Sequence, residues 1–308
     1  MAYAKSLVVI VGPTAIGKTA LAIQLAQLYR TEIISADSRQ CFKEMEIGTA
    51  KPTSEELAAI PHHFINTNTV EELFSPGDFE EQALHSIKTL FQHNDVVIMV
   101  GGSGLYIDAV CNGLDVLPPT NLVIRNELNN KFTQYGITYL QEELKKTDPE
   151  YFDRVDQFNP QRMIRGLEFF LSTGMKLSSF LTNTKKTRPF DIIKIGLNTD
   201  RERLYARINS RVDTMMDKGL LKEVSALTIY RHLNALNTVG YSELFAYLDG
   251  SVKLEEAVDK IKQNTRRFAK RQLTWFRKDL QTAWFDPAQT DEIIDYLKNC
   301  FNPFKPEQ

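Results

Sequence analysis

Leu7-Val8-Val9-Ile10-Val11-Gly12-Pro13-Thr14-Ala15-Ile16-Gly17-Lys18-Thr19 is the stretch from which the fold is read. Its five apolar, largely β-branched residues predict a strand buried on both faces of a parallel sheet. The next eight match GxxxxGK[ST], and residues 19–30 continue as a helix with Leu21, Ala22, Leu25, Leu28 and Tyr29 along one stripe. Strand, glycine loop and helix in this order are the context a phosphate-binding loop requires. Its backbone N–H groups turn inward toward phosphate oxygens, the helix start adds a positive dipole end, Lys18 adds a charge and Thr19 can ligate Mg²⁺. Gly12, Pro13, Thr14, Ala15, Ile16, Gly17, Lys18 and Thr19 are therefore candidate polyphosphate-binding residues. The same donors suit the nucleotide ATP and other diphosphates alike.

Further apolar runs at Ile33-Ile34, Val96 to Val100 and Ile192 to Leu197 repeat the buried-strand pattern. Strands alternating with amphipathic helices predict an α/β fold, a P-loop NTPase-like parallel sheet with helices on its faces and ligands beyond the strands' carboxyl ends. From about Asn121 the strand signal stops and polar helical patterning runs on, bounded by Pro118-Pro119 and by Thr187-Arg188-Pro189. The expected organisation is a core made of residues 1–120 and 190–308, interrupted by a helical insertion domain at 121–189. Helices are expected again at 201–218, 220–231 and 254–280.

Chemistry is sought at the strand ends. Asp37, in Ser35-Ala36-Asp37-Ser38-Arg39-Gln40, follows the second strand beside the phosphate loop and can act as a general base; an Asp after a strand also commonly serves as a turn or cap residue. The third run ends as Gly101-Gly102-Ser103-Gly104-Leu105-Tyr106 with no acid after it, whereas an NTPase motor carries a metal-binding Asp there. These glycines suit either close approach of a bulky ligand or a tight turn.

With 308 residues and a formal net charge of −2, the chain is long enough for a large core, and any polyanionic partner must be met by a local basic patch. One such patch runs from Lys262 to Lys278 with no acid in it. As a helix it places Phe268, Trp275 and Phe276 toward the core and Arg267, Lys270, Arg271 and Lys278 outward, either as a polyanion grip or as a solvated basic face. Arg162 and Arg165 share a helix face in the insertion. Arg201, Arg203, Arg207 and Arg211 add charge after the last buried run, close to the expected diphosphate site. Three dispersed cysteines suggest neither disulfides nor a zinc site, and His62-His63 has no third ligand in view. No apolar run approaches membrane-spanning length, and no signal-peptide layout is present.

Taken together, the phosphate loop, Asp37-Ser-Arg-Gln40, Gly101-Gly-Ser-Gly-Leu-Tyr106, Gln161-Arg-Met-Ile-Arg165, Asn237-Thr-Val-Gly-Tyr241 and Arg266-Arg-Phe-Ala-Lys-Arg-Gln272 resemble the bacterial tRNA dimethylallyltransferases in order and spacing. The resemblance covers roughly Ser6 to Phe285. Ile16 departs from it, standing where the family's loop carries a serine. The zinc-finger extension of the eukaryotic relatives is missing from the sequence, so the bacterial form is expected. The resemblance implies transfer of a dimethylallyl group from dimethylallyl diphosphate to the N6 amine of the adenosine 3′ of the anticodon in tRNA. It further implies Asp37 as base, Arg211 and Mg²⁺ on Thr19 at the diphosphate, and tRNA contacts from Asp37, Ser38, Arg39, Gln40, Ser103, Arg125 and the run Gln161, Arg162, Met163, Ile164, Arg165. A monomeric cytoplasmic enzyme acting on the anticodon stem-loop, without a membrane, is the resulting expectation. Two other readings fit parts of the sequence. A P-loop small-molecule kinase accounts for the first hundred residues, and a non-catalytic RNA-binding protein accounts for the basic helix.

Overall fold

The computed structural model describes residues 5–182 and 184–301; residues 1–4 and 302–308, at the ends of the expected core ranges, and residue 183 of the expected insertion lie outside it. Two compact units result. One combines Met1–Asn112 with Thr187–Gln308 and the other is Gly113–Lys186.

The first unit begins with β1 (Ser6–Val11), α1 (Lys18–Tyr29), β2 (Ile33–Ser35), α2 (Ser54–Ala59), β3 (His62–His63), α3 (Pro76–Leu90), β4 (Val96–Val100) and α4 (Gly104–Asn112). The second holds α5 (Leu122–Thr147), α6 (Pro149–Arg154) and α7 (Pro160–Thr173). The first then resumes with β5 (Asp191–Leu197), α8 (Arg201–Asp217), α9 (Leu220–Ala226), α10 (Tyr241–Leu248), α11 (Leu254–Phe276), β6 (Ala283–Phe285) and α12 (Thr290–Phe301).

Its six strands form one parallel sheet in the order β3-β2-β4-β1-β5-β6, so the sequence's α/β expectation holds. All six residues of β1 are buried because strands flank it on both edges and helices cover both faces. Val8 and Ile10 enter one apolar cluster with α1, while Leu7, Val9 and Val11 enter another with α3 and α4. Each such side chain removed from water contributes roughly 1.5–3 kcal/mol. The sheet's centre is thereby rigid at the point where β1 runs into the loop.

Three helical expectations need revision. The 220–231 pattern stops at Ala226 and goes on as a short 3-10 turn, Thr228–Tyr230. The basic helix ends at Phe276 rather than 280, with Trp275 and Phe276 packed on the core but Phe268 exposed, its ring beneath the Arg271 guanidinium. In α1 the apolar stripe is Leu21, Ala22, Leu25 and Ala26, and Leu28 is exposed.

Local bonds fix where the units meet along the chain. Arg188 pairs with Glu80 at 2.8 Å and donates to the carbonyls of Ala109 and Val110, which binds residues 187–189 to the first unit. In the second, Arg165 donates to the Pro118 carbonyl, the Asn121 N–H donates to Glu168 and Thr182 bonds Asp115, so the prolines before α5 belong with the helices. A small apolar cluster of Leu128, Leu140, Leu144, Val155, Met163, Ile164 and Leu167 holds α5, α6 and α7 together. The left-handed Gly136 breaks α5 into two segments. No helix among the described residues is long and apolar enough to cross a membrane.

Candidate active site

The phosphate loop takes its shape from three left-handed residues, Gly12 (φ 147°), Ala15 (φ 64°) and Gly17 (φ 108°). A Cβ on Gly12 would stand 2.7 Å from the Leu197 carbonyl oxygen, so β5 presses the loop from below and admits only glycine. Ile16, at the position where a serine was expected, is fully buried in the cluster under α1. It anchors the loop by packing and leaves the backbone donors in place. Lys18 donates to the carbonyls of Gly12 (3.0 Å) and Pro13 (2.8 Å), folded back across the loop.

Asp37 follows β2, and its Oδ1 accepts from the backbone N–H of Arg39 (2.9 Å) and Gln40 (3.3 Å). That is the turn role an aspartate commonly takes after a strand. Its Oδ2 takes part in neither bond. The glycine turn after β4 lies directly against this loop. A Cβ on Gly101 would fall 2.1 Å from the Ala36 carbonyl oxygen, and the Ser103 hydroxyl accepts from the Ser38 N–H at 2.9 Å while donating to Ser38 Oγ at 3.1 Å. A Cβ on Gly102 would meet the Gln272 amide at 2.3 Å, and one on Gly104 the Trp275 indole at 2.5 Å. All three glycines therefore admit protein groups, where the sequence had suggested either a ligand or a tight turn.

The segment beyond Asp37 is fastened from α9 and α10. The Glu223 carboxylate accepts from the consecutive N–H groups of Glu46 (3.1 Å), Ile47 (2.7 Å) and Gly48 (3.0 Å), and from the hydroxyl of buried Tyr241 at 2.6 Å. Gly48 has no room for a side chain because the Tyr241 ring occupies it. The Gln40 amide donates to the carbonyls of Thr49 and Ala50 and accepts from Ser35, so this side chain, expected at tRNA, closes the loop internally. Burial pulls the Arg39 guanidinium below its ordinary value, with Tyr106, Asp37 and Cys41 opposing.

Two arginines of α8 face the phosphate loop. Arg211 Nη1 approaches Thr14 Oγ1 at 3.5 Å, and a Cβ on Gly17 would lie 3.4 Å from Arg207 Nη2. One helical turn apart, the two share a face. Arg207 was expected near the diphosphate site as one of four arginines without a role of its own, and its i−4 spacing from Arg211 is the signal that singles it out. Burial first and the Arg211 charge second lower Lys18 from 10.5 to about 7, with Asp37 opposing both. Burial and neighbouring Arg207 pull Arg211 down as well. A cluster of crowded, desolvated cations is short of negative charge and therefore set to receive an anion.

Gln272, 6% exposed on α11, completes this region: its Oε1 accepts from the Thr14 N–H at 2.8 Å and its Nε2 donates to the Gly102 carbonyl at 2.9 Å. Sequence reasoning quoted this residue within a motif and gave it no role.

In the helical unit, Arg125 Nη2 donates to Gln161 Oε1 at 2.9 Å, and Arg162 is exposed on α7. Met163 and Ile164 are wholly buried in that unit's core, and Arg165 is bound to Glu168 at 2.6 Å and to the Pro118 carbonyl. The expected five-residue contact run from Gln161 to Arg165 is thereby divided, with the side chains of Gln161 and Arg162 outward and the others committed to the unit itself.

His63 Nε2 meets Glu32 at 2.7 Å at the sheet edge, and no group of three or more His, Cys, Asp or Glu residues able to hold a metal occurs among the described residues.

Residues 40–279 match the family model described as IPP transferase. A tRNA dimethylallyltransferase of Christiangramia forsetii is 52% identical over 297 residues, spanning 96% of this chain and 98% of the relative. The full-length tRNA isopentenylpyrophosphate transferase from Bacillus halodurans superposes with a TM-score of 0.72 at 37% identity, covering 97% of each chain. A eukaryotic dimethylallyltransferase acting on tRNA superposes with a TM-score of 0.78 at 26% identity, over 99% of this chain and 81% of that one.

Proposed function

Because the chain belongs to the IPP transferase family, we infer a reaction in which its P-loop unit holds an allylic diphosphate while a tRNA adenosine is brought to Asp37. The enzyme is a tRNA dimethylallyltransferase by activity: it transfers a dimethylallyl group from dimethylallyl diphosphate to tRNA. The acceptor is the N6 amine of the adenosine 3′ of the anticodon, a base that must leave its stack to react.

The observation that carries this reading is the juxtaposition of a crowded cation cluster at Lys18, Arg207 and Arg211 with a carboxylate that keeps one oxygen outside its turn. The N6 lone pair forms the new N–C bond to C1 of the allyl group, and the C1–O electron pair leaves with the diphosphate. Loop N–H groups, Lys18, Arg207 and Arg211 face the charge that the diphosphate gains as it leaves, which is where preorganised donors stabilise most. Asp37 Oδ2 takes the proton from N6. Once the N–C bond has formed the nitrogen is cationic and readily loses that proton, so a carboxylate held in place is enough.

Mg²⁺ suits the donor set. Magnesium keeps several waters and binds through substrate phosphates with one or two protein oxygens rather than in an all-protein cage. Thr19, in the first turn of α1, supplies such a hydroxyl, and when bound the ion neutralises phosphate charge. On the acceptor side Ser38, Arg39 and Ser103 border Asp37, and Arg125, Gln161 and Arg162 offer the helical unit's outward polar groups.

Incubation with radiolabelled dimethylallyl diphosphate, Mg²⁺ and unmodified tRNA bearing consecutive anticodon-loop adenosines tests the reading. Label in the RNA at N6 of the adenosine 3′ of the anticodon is expected; label at another position, or a phosphorylated small acceptor in its place, would overturn it.

A further inference from the structure

The chain between β2 and α2, residues 36–53, forms no helix and no strand, yet it carries Asp37. Its shape must therefore come from side chains. Four donors converge on the Glu223 carboxylate of α9: the N–H groups of Glu46 and Ile47 on Oε2 at 3.1 and 2.7 Å, and the Gly48 N–H and Tyr241 hydroxyl on Oε1 at 3.0 and 2.6 Å. Burial and the Glu223 charge push the Tyr241 hydroxyl up, so it stays protonated and donates. Two ionised oxygens offer about four lone-pair sites, enough for every one of these donors. The turn held in this way passes its position on. Directly after it, the carbonyls of Thr49 and Ala50 each accept from Gln40 Nε2 at 3.2 Å, and the Ser35 hydroxyl donates to Gln40 Oε1 at 3.2 Å. The Gln40 N–H in turn donates to Asp37 Oδ1 at 3.3 Å. Ala50 stands at a left-handed φ of 50°, which a residue other than glycine keeps only where its surroundings impose it.

We propose that Glu223 is a positioning residue for the transfer step, acting through the 46–50 turn and Gln40 to hold the Asp37 carboxylate where it meets the N6 proton. The assignment rests on the reading of Asp37 as the base. Placement matters at this point, because moving a reacting group by about 1 Å lowers a rate by roughly 10²-fold even when the altered residue lies far from the chemistry. Only a carboxylate serves at position 223. An amide there has one oxygen, and its NH₂ group would face two of the four donors and leave them without an acceptor. The turn is clamped from its other side by Tyr241, whose ring would stand 2.6 Å from a Cβ on Gly48. A strut that merely holds the fold together would also lower activity when removed. The two roles differ in whether the loss depends on Asp37.

Transfer of label from dimethylallyl diphosphate to tRNA by the full chain tests the proposal in Glu223→Gln, Asp37→Asn and the double variant. With Asp37 intact, Glu223→Gln should lower kcat by about 10- to 100-fold while the KM for dimethylallyl diphosphate changes by no more than about threefold. In the Asp37→Asn background the same substitution should lower the residual kcat by less than about threefold, since a base already lost cannot be misplaced and residues acting as a unit are not additive. An unchanged kcat in a folded Glu223→Gln, or an equal loss in both backgrounds, overturns the role of Glu223. Full activity in Asp37→Asn alone overturns instead the reading of Asp37 on which the proposal rests. If Glu223→Gln does not fold, Glu223→Asp decides. It keeps the charge and both oxygens but withdraws them by about 1.5 Å, one C–C bond. A roughly tenfold loss of kcat is expected with Asp37 intact and less than about threefold with Asp37→Asn; no loss, or the same loss in both, overturns the proposal.

Discussion

In the α/β unit, polar side chains near the site are spent on backbone: Gln40 on Thr49 and Ala50, Glu223 on three consecutive N–H groups, Gln272 on Thr14 and Gly102, Asp37 on its own turn. In the helical unit the polar groups singled out as tRNA-facing are held less firmly, with the Arg125 guanidinium bonded to the Gln161 side chain and Arg162 exposed. The first pattern fixes irregular loops against a rigid sheet, as chemistry at sub-ångström tolerance needs. The second leaves charge where a flexible polyanion can meet it, and a phosphate backbone tolerates variation in where each contact falls. If this contrast is functional, mutations in the two units must fail in different observables.

The largest effect is expected at Asp37. Asp37→Ala should lower kcat by about 10² to 10⁴ with tRNA affinity nearly unchanged, the usual worth of a general base. The alanine variant also deletes the turn acceptor for Arg39 and Gln40. Asp37→Asn separates the two roles, because its amide oxygen still accepts both N–H groups and only proton acceptance is lost. Equal loss in the two variants assigns the effect to the base; an active asparagine variant reduces Asp37 to a turn residue and removes the chemical half of the contrast.

Met163→Ala should destabilise the helical unit by roughly 2–5 kcal/mol, the cost of emptying a fully buried site. Hydrogen exchange on the full chain is the measurement. Protection should fall in α5 and α7 and persist in β1 and β4. Loss of protection throughout would show that the two units unfold as one and that the contrast has no energetic counterpart.

Lys18 gives a graded effect of pH. Its folded value of about 7 lies below the ordinary 10.5. Between those values the unfolded chain binds more protons than the folded one, so this residue's contribution makes stability rise with pH through that window, and its full cost is felt below about 7. Diphosphate favours the charged ammonium and restores its proton. The KM for dimethylallyl diphosphate should therefore rise above pH 7, by at most about tenfold per pH unit, with kcat for bound substrate unaffected. Titrations in buffers of different ionisation enthalpy should reveal proton uptake on binding near pH 8. A pH-independent KM and no proton uptake would mean that Lys18 stays charged without ligand.

The sheet and the phosphate loop were legible because their signals are local: β1 is a continuous apolar run and the loop's residues are adjacent. Asp37, too, was marked as a candidate from its place after a strand. Gln272 and Glu223 were not assigned, since each acts on backbone far away in sequence, and a buried amide or carboxylate looks like any polar residue of an amphipathic helix until the tertiary contact exists. Phe268 misled for the related reason that a helical stripe shows which residues share a face and not how far the core extends along it. The run from Gln161 to Arg165 does not show in sequence which of its side chains turn out: at 3.6 residues per turn, Met163 and Ile164 turn inward when Gln161 and Arg162 turn out.

That geometry sets the smallest of the expected effects. Arg162→Ala removes one exposed charge and no internal bond, so its effect must appear in tRNA binding. Affinity should weaken only a few-fold, uniformly across tRNA sequences, and the slope of log affinity against log salt should shrink by about 1, as for the loss of one phosphate contact. Arg165→Ala is the control from the next turn of the same helix. It strips a partner from nearly buried Glu168, so its signature should be lost stability of α5–α7 rather than a changed salt slope. An Arg162 variant with an unchanged slope, or an Arg165 variant that alters the slope while the unit stays intact, would reverse the division between outward and inward residues on α7.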